Sequence, residues 1–142
     1  MSDALTPPFD TKVAILVRDD LETWQRLNVT AFLASGITAA SSHLVGEAYV
    51  DADDQSYLPL LGIPVLVFEG GAEQLVAARE RALRRELPVA VYTREMFRTG
   101  HDAANRAVVR AVSGAELDLV GLAAHGPRNG VDKVLKGAHL HP

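Results

Sequence analysis

Apolar residues in this chain fall into short unbroken runs, separated by longer stretches in which they recur at helical spacing. The first run, VAILV at 13–17, is continuous rather than alternating, which predicts a strand covered on both faces. Residues 24–42 then contain no proline and carry apolar side chains at Trp24, Leu27, Val29, Ala31, Phe32 and Ala34. A long helix is expected there, with Asp19, Asp20 and Thr23 supplying capping oxygens ahead of it. Its many small residues let its backbone lie close to a sheet or to another chain, although Gly36 in its interior costs about 1 kcal/mol relative to alanine. Residues 51–61 hold three acids and a proline without a clear period, so a loop is expected. That loop lacks the central glycine and closing glutamate of a calcium-binding EF-hand and reads as solvated.

A second run, IPVLVF at 63–68, predicts another strand, its proline placing it at an edge or a strand start. Glu69-Gly70-Gly71 then turns the chain into a helix over 72–86, apolar on one side and arginine-rich on the other, which Pro88 ends. VAVYT at 89–93 predicts a third strand, Asp102 caps a helix over 103–112, LDLVGLA at 117–123 predicts a fourth strand, and a short helix is expected over 131–136. Strands alternating with helices imply a three-layer α/β/α domain around a four-stranded, mostly parallel (mixed) sheet, because parallel neighbours need a crossover. The chain of 142 residues suits a single domain over 1–142, with residues 1–10 as a flexible N-terminal arm.

Composition narrows the chemistry. There is no cysteine, which excludes disulfides, thiolate zinc sites, iron–sulfur clusters and cysteine nucleophiles. His139 and His141 alone make a poor metal site, so neither metal nor cofactor is expected. The start carries acids instead of a basic leader, and no apolar run approaches a membrane span, so a soluble cytoplasmic protein with no membrane partner is expected. The net charge of −4 is uneven: residues 1–78 have three basic against eleven acidic side chains, whereas residues 79–142 have eleven against seven. The arginines of the second half recur at helical spacing among apolar residues, and the pI near 5.7 is far from that of a nucleic-acid module. They read as solvated helix faces, and a nucleic-acid partner is not expected.

In an open parallel sheet, ligands gather beyond the carboxyl ends of the strands. Four polar clusters follow the apolar runs: Arg18-Asp19-Asp20, Glu69-Gly70-Gly71, residues 94–105, and His125-Gly126. The third is the densest, with Arg94, Glu95, Arg98, Thr99, His101, Asp102 and Asn105. Thr99, His101 and Asp102 include the residue types of a nucleophilic triad, but closeness in sequence does not assemble one. The Glu69-Gly70-Gly71 segment lacks both the glycine pattern and the lysine of phosphate-binding loops and reads as a tight turn.

The stretches KVAILVRDDLETWQRLNVTAFLASG, FRTGHDAANRAVV, LDLVGLAAHGP and VDKVLKGAHLHP together resemble the bacterial family called domain of unknown function 2000, over nearly the whole chain. That family is similar in fold to the archaeal and eukaryotic type of peptidyl-tRNA hydrolase, which implies a sheet between helices and a homodimer. The likeness to the hydrolase rests on Arg18-x-Asp20-Leu21, on Arg94-x-x-x-Arg98-Thr99, and on Gly126-Pro127 followed by Val131-Asp132-Lys133-Val134. It implies roles for Asp20, Glu95 and Thr99 in ester hydrolysis. Where the hydrolase has its lysine-rich loop this chain has Trp24-Gln25-Arg26-Leu27, which removes the lysines that would stabilise a developing oxyanion; Arg26 supplies charge but not their geometry.

The reading that follows is a small α/β homodimer holding a small polar or anionic molecule at the strand ends, with no reaction assigned. Trp24, Asn28, Arg98, Thr99, His101 and Asn105 are the expected ligand-binding residues. This requires the tips after the first and third strands to share one rim. The alternatives are a peptidyl-tRNA or related ester hydrolase using Asp20, Glu95 and Thr99, and a structural module that dimerises through the small-residue helix.

Overall fold

The computed structural model of the chain describes residues 10–142. The expected N-terminal arm thus lies outside the described residues except for Asp10. The run at 13–17 forms the middle of β1 (Thr11–Arg18), where Val13, Ile15 and Val17 face one core and Ala14 and Leu16 the other. Helix α1 (Thr23–Ala40) covers the first face through Val29, Leu33 and Ile37, spaced four apart and all buried. Its entry is held by the Gln25 side chain, which accepts the Glu22 N–H at 3.0 Å, rather than by Asp19, Asp20 or Thr23.

The expected loop over 51–61 contains most of a small antiparallel hairpin, β2 (Tyr49–Val50) with β3 (Ser56–Tyr57). The Asp51 carboxylate closes its turn by accepting the N–H groups of Asp53 (2.8 Å) and Gln55 (3.0 Å) and the Tyr57 hydroxyl (2.7 Å). Strands of two residues are too short to show a period, which hides them from pattern reading. Then follow β4 (Val65–Gly70), α2 (Ala72–Arg84), β5 (Val89–Thr93), a 3-10 turn (Arg94–Arg98), α3 (Asp102–Arg110), β6 (Leu119–Pro127), α4 (Arg128–Val134) and β7 (His139–Leu140).

The main sheet has five strands in the order β5-β6-β1-β4-β7. Only β1 and β4 pair in parallel; β1 with β6, β5 with β6, and β4 with β7 are antiparallel. Both the count of four and the mostly parallel arrangement are therefore corrected. An apolar run reports burial on two faces, not direction: β6 is buried because it is central, between β5 and β1. The fifth strand, β7, is a two-residue piece of the C-terminal tail.

Three layers follow from the two cores. Helix α1 lies on one face, while α2 and α4 cover the other through Leu75, Ala78, Ala82, Val131 and Val134. Gly121 of β6 sets the spacing of the first layer, since a Cβ there would lie 2.3 Å from Val29 Cγ1. Helix α2 ends in a Schellman turn: Leu87 N–H donates to Ala82 O and Glu86 N–H to Leu83 O, with Glu86 at φ 57°. Helix α3 differs from the rest. None of its side chains is buried, and it stands beside the edge strand β5 rather than on the sheet. No helix among the described residues is long and apolar enough to cross a membrane.

Candidate functional site

Strands β1, β4 and β5 run in one direction, so their carboxyl ends lie on one rim, and the antiparallel β6 contributes its amino end there. The four polar clusters divide accordingly. Those after β1, β4 and β5 share the rim, whereas His125-Gly126 lies at the opposite end of the sheet, paired with Val13 and Lys12 near the start of β1. The direction of β6 also brings Asp118 to the rim, between the tips after β1 and β5. There Arg18 and Arg94 each bridge Asp20 and Asp118, at 2.8 to 3.3 Å, in a closed ring of four charges. Burial by itself pushes the Asp20 carboxyl up, but the hydrogen bond and charge of Arg18 and the charge of Arg94 outweigh it and hold the carboxyl below its ordinary value. Burial likewise pulls the Arg18 guanidinium down, and is outweighed by Asp20 and Asp118, which raise it.

Between α1 and the segment after β5 lies a cleft of about 300 Å³. Trp24 and Asn28 come to it from α1, and Thr99, His101 and Asn105 from the segment after β5. Five of the six expected ligand-binding residues thus meet in one hollow. Arg98 does not line it; it ends the 3-10 turn and is exposed. Aromatic rings form the walls: Phe97 lies edge-on to Trp24 at 5.7 Å and 5.2 Å from Tyr92, which in turn is 5.9 Å from Phe32.

The polar groups of the cleft are held in defined states. The Asn28 amide donates to the Tyr92 hydroxyl at 3.4 Å, and burial pushes the Tyr92 phenol up, the Asn28 bond offsetting part of this, so Tyr92 remains neutral. The Thr99 hydroxyl donates to Met96 O at 2.9 Å and meets the Asn105 side-chain amide. His101, not Asp102 as expected, caps α3: its Nδ1 accepts the Ala104 N–H at 3.2 Å. An acceptor at Nδ1 makes Nε2 an N–H donor in the neutral ring. Asp102 sits at the mouth with its carboxylate paired to Arg106. Sequence reasoning missed Tyr92, Phe97 and Phe32. Tyr92 was legible as an aromatic near the end of a strand; Phe32 lies four residues beyond Asn28 and so shares its side of the helix.

The family model described as a protein of unknown function, DUF2000, matches residues 11–142. This chain belongs to the DUF2000 family. A solved structure of a protein of unknown function from Agrobacterium tumefaciens strain C58 is similar to this DUF2000 chain at 46% identity, covering 94% of this chain and 99% of that one, with a TM-score of 0.91. No curated protein matches the DUF2000 chain.

In this DUF2000 protein the three residues of the hydrolase alternative are not gathered on the cleft: Thr99 lines it, but Asp20 and Glu95 do not. Asp20 is engaged by two guanidinium groups in the ion ring. Arg26, the replacement for the lysine loop in charge, is occupied as well. It donates to Leu21 O (3.0 Å), Asp19 O (2.8 Å) and the buried Glu69 carboxylate (3.1 Å), so it clamps the loop between β1 and α1. Glu69 also meets His139 Nε2 at 3.1 Å, tying β7 to the sheet. The Glu69-Gly70-Gly71 segment is not the tight turn expected: Glu69 and Gly70 end β4 and Gly71 is the extended N-cap of α2, its N–H taken by Gln74 Oε1 at 3.1 Å.

Proposed function

We propose that this DUF2000 protein binds a small polar molecule in the cleft between α1 and the segment after β5, with no reaction assigned. The observation that carries this reading is the convergence of hydrogen-bonding groups within aromatic walls, from segments about eighty positions apart. Asn28, Tyr92, Thr99, His101 and Asn105 offer both donors and acceptors, and a volume near 300 Å³ is at the lower end of small-molecule sites. No lysine or arginine lines the cleft, and its one charged side chain is the Asp102 carboxylate. Within the original expectation, a neutral polar ligand is therefore favoured over an anion.

No observation favours the ester hydrolase, whose Asp20 and Glu95 stand off the cleft. For the homodimer, support comes from the outer side of α1, where Leu27, Ala31 and Ser35 are exposed without any charge between Leu27 and Ala40. This stripe is distinct from the Asn28 and Phe32 side that forms the cleft wall.

The test is a metabolite thermal-shift screen on wild type, Asn28→Ala, Asn105→Ala and Arg98→Ala. Ligands of the cleft raise the melting temperature of wild type and Arg98→Ala alike, and raise that of the other two less. If no compound separates wild type from Asn28→Ala and Asn105→Ala, the reading fails.

A further inference from the structure

The cleft does not end at Tyr92. It continues into a larger groove of about 790 Å³ between α1, the edge strand β5 and α3, with Phe32, Tyr92, Met96, Asp102 and Asn105 lining both. The two parts differ in chemistry. Along the groove most of the wall is apolar, from Leu33 and Gly36 of α1, Ala90 and Val91 of β5, and Ala107 and Val109 of α3, while Arg106 and Arg110 of α3 add two charged side chains. Asn28, Phe32 and Gly36, four residues apart on α1, run from the polar cleft to this apolar end.

Helix α3 explains why the groove is open. It is strongly amphipathic yet buries no side chain, and it presents Ala103, Ala107 and Val109 to this space together with the charged Asp102, Arg106 and Arg110, instead of packing into a core. A largely apolar groove of this size, leading from a polar pocket, suits a molecule polar at one end only.

We infer that the ligand of the cleft carries an apolar chain of the fatty-acyl kind, seated in the groove between α1, β5 and α3, behind a neutral polar head held by Asn28 and Thr99. This rests on the cleft reading above and names the class of molecule it serves. The head is uncharged because the cleft offers amides and hydroxyls and no lysine or arginine, and its one carboxylate, Asp102, is already paired with Arg106. Each methylene that enters the groove tightens binding about fourfold.

The probes are butanamide, hexanamide, octanamide and decanamide, with octanoate and octylamine for comparison, titrated into the full chain and read by Trp24 fluorescence and melting temperature. Wild type is expected to bind more tightly with each added methylene. Ala107→Phe, which fills the groove from an exposed helix position, removes that dependence, and Ala103→Phe does the same should the first variant fold poorly. Asn28→Ala weakens every amide equally and leaves the dependence intact. Affinity independent of chain length, dependence that survives both fillers, or no binding of any amide overturns the inference. So does octanoate binding more tightly than octanamide, which requires a charged head. A wild-type dimer in light scattering that Ala107→Phe dissociates shows a second copy in the groove and also overturns it. Chain-length dependence that the fillers abolish but Asn28→Ala leaves untouched in affinity supports the groove and rejects the cleft as the seat of the head.

Discussion

Adding one methyl group at Gly121 tests how closely the first layer sits on the sheet, and with it the wall of the cleft. In Gly121→Ala the new Cβ lies 2.3 Å from Val29 Cγ1 and 2.9 Å from Leu33 Cδ1, whereas carbon atoms in contact stand about 3.5–4.0 Å apart. Val29 must therefore retreat by more than about 1 Å. It has nowhere to go by rotation: Val29 and Leu33 are both buried, and a β-branched side chain in a helix has essentially one rotamer. The displacement passes to the backbone of α1, which lifts from β6 and carries the neighbouring Asn28 with it. Overpacking of this kind costs about 1–3 kcal/mol. At about 2–4 °C per kcal/mol for a chain of this length, the melting temperature falls by roughly 2–12 °C.

Urea unfolding of wild type, Gly121→Ala, Val29→Ala and the double variant separates the clash from general damage. Val29→Ala leaves a cavity and costs about 2 kcal/mol alone, but it also removes the atom that the new methyl strikes. The double variant should thus be more stable than the sum of the two by at least about 1 kcal/mol. If Gly121→Ala unfolds within about 0.5 kcal/mol of wild type, or if the two losses simply add, then α1 does not rest on Gly121 and the geometry of the cleft wall needs another basis.

Three further outcomes follow from single sites. Glu86 occupies the left-handed position of the Schellman turn after α2, so Glu86→Gly relieves about 1 kcal/mol of backbone strain and raises the melting temperature; an unchanged or lower value refutes this. Arg26→Ala leaves the buried Glu69 without its guanidinium and strips donors from two loop carbonyls, at a cost of about 2 kcal/mol that Arg26→Lys does not recover, as measured by urea midpoints. Burial, and secondarily the charge of His43, pull the His125 imidazole below its ordinary value, and its Nε2 has no hydrogen-bond partner. The unfolded chain therefore takes up this proton first, and the contribution of neutral His125 to stability, full above about pH 6.5, is lost as pH falls through the folded-state value. His125→Gln should flatten the difference between unfolding midpoints at pH 7.5 and pH 5.5; an undiminished difference places the titration elsewhere.

Most secondary elements and about half of the residues lining the cleft were legible along the chain, because burial leaves a periodic trace and loops after strands collect polar groups. The run at 13–17 could be placed at the centre of the sheet from its continuity alone, and Trp24, Asn28, Thr99, His101 and Asn105 from their position after strands. What the pattern did not carry was direction and pairing. The apolar run of β6 looks the same whether it lies parallel or antiparallel to β1, yet its reversal sends His125 to the far end of the sheet and brings Asp118 between Arg18 and Arg94. Arg98 and Asn105 are likewise equally polar on paper; the short 3-10 turn after β5 leaves one outside the hollow and the first turns of α3 carry the other into it. Local sequence determines which residues avoid water, through side-chain chemistry repeated every two or every three to four positions. Which of them meet is decided by strand order, strand direction and the absence of a side chain at Gly121, all of them properties of segments distant in the chain that acquire energy only once they touch.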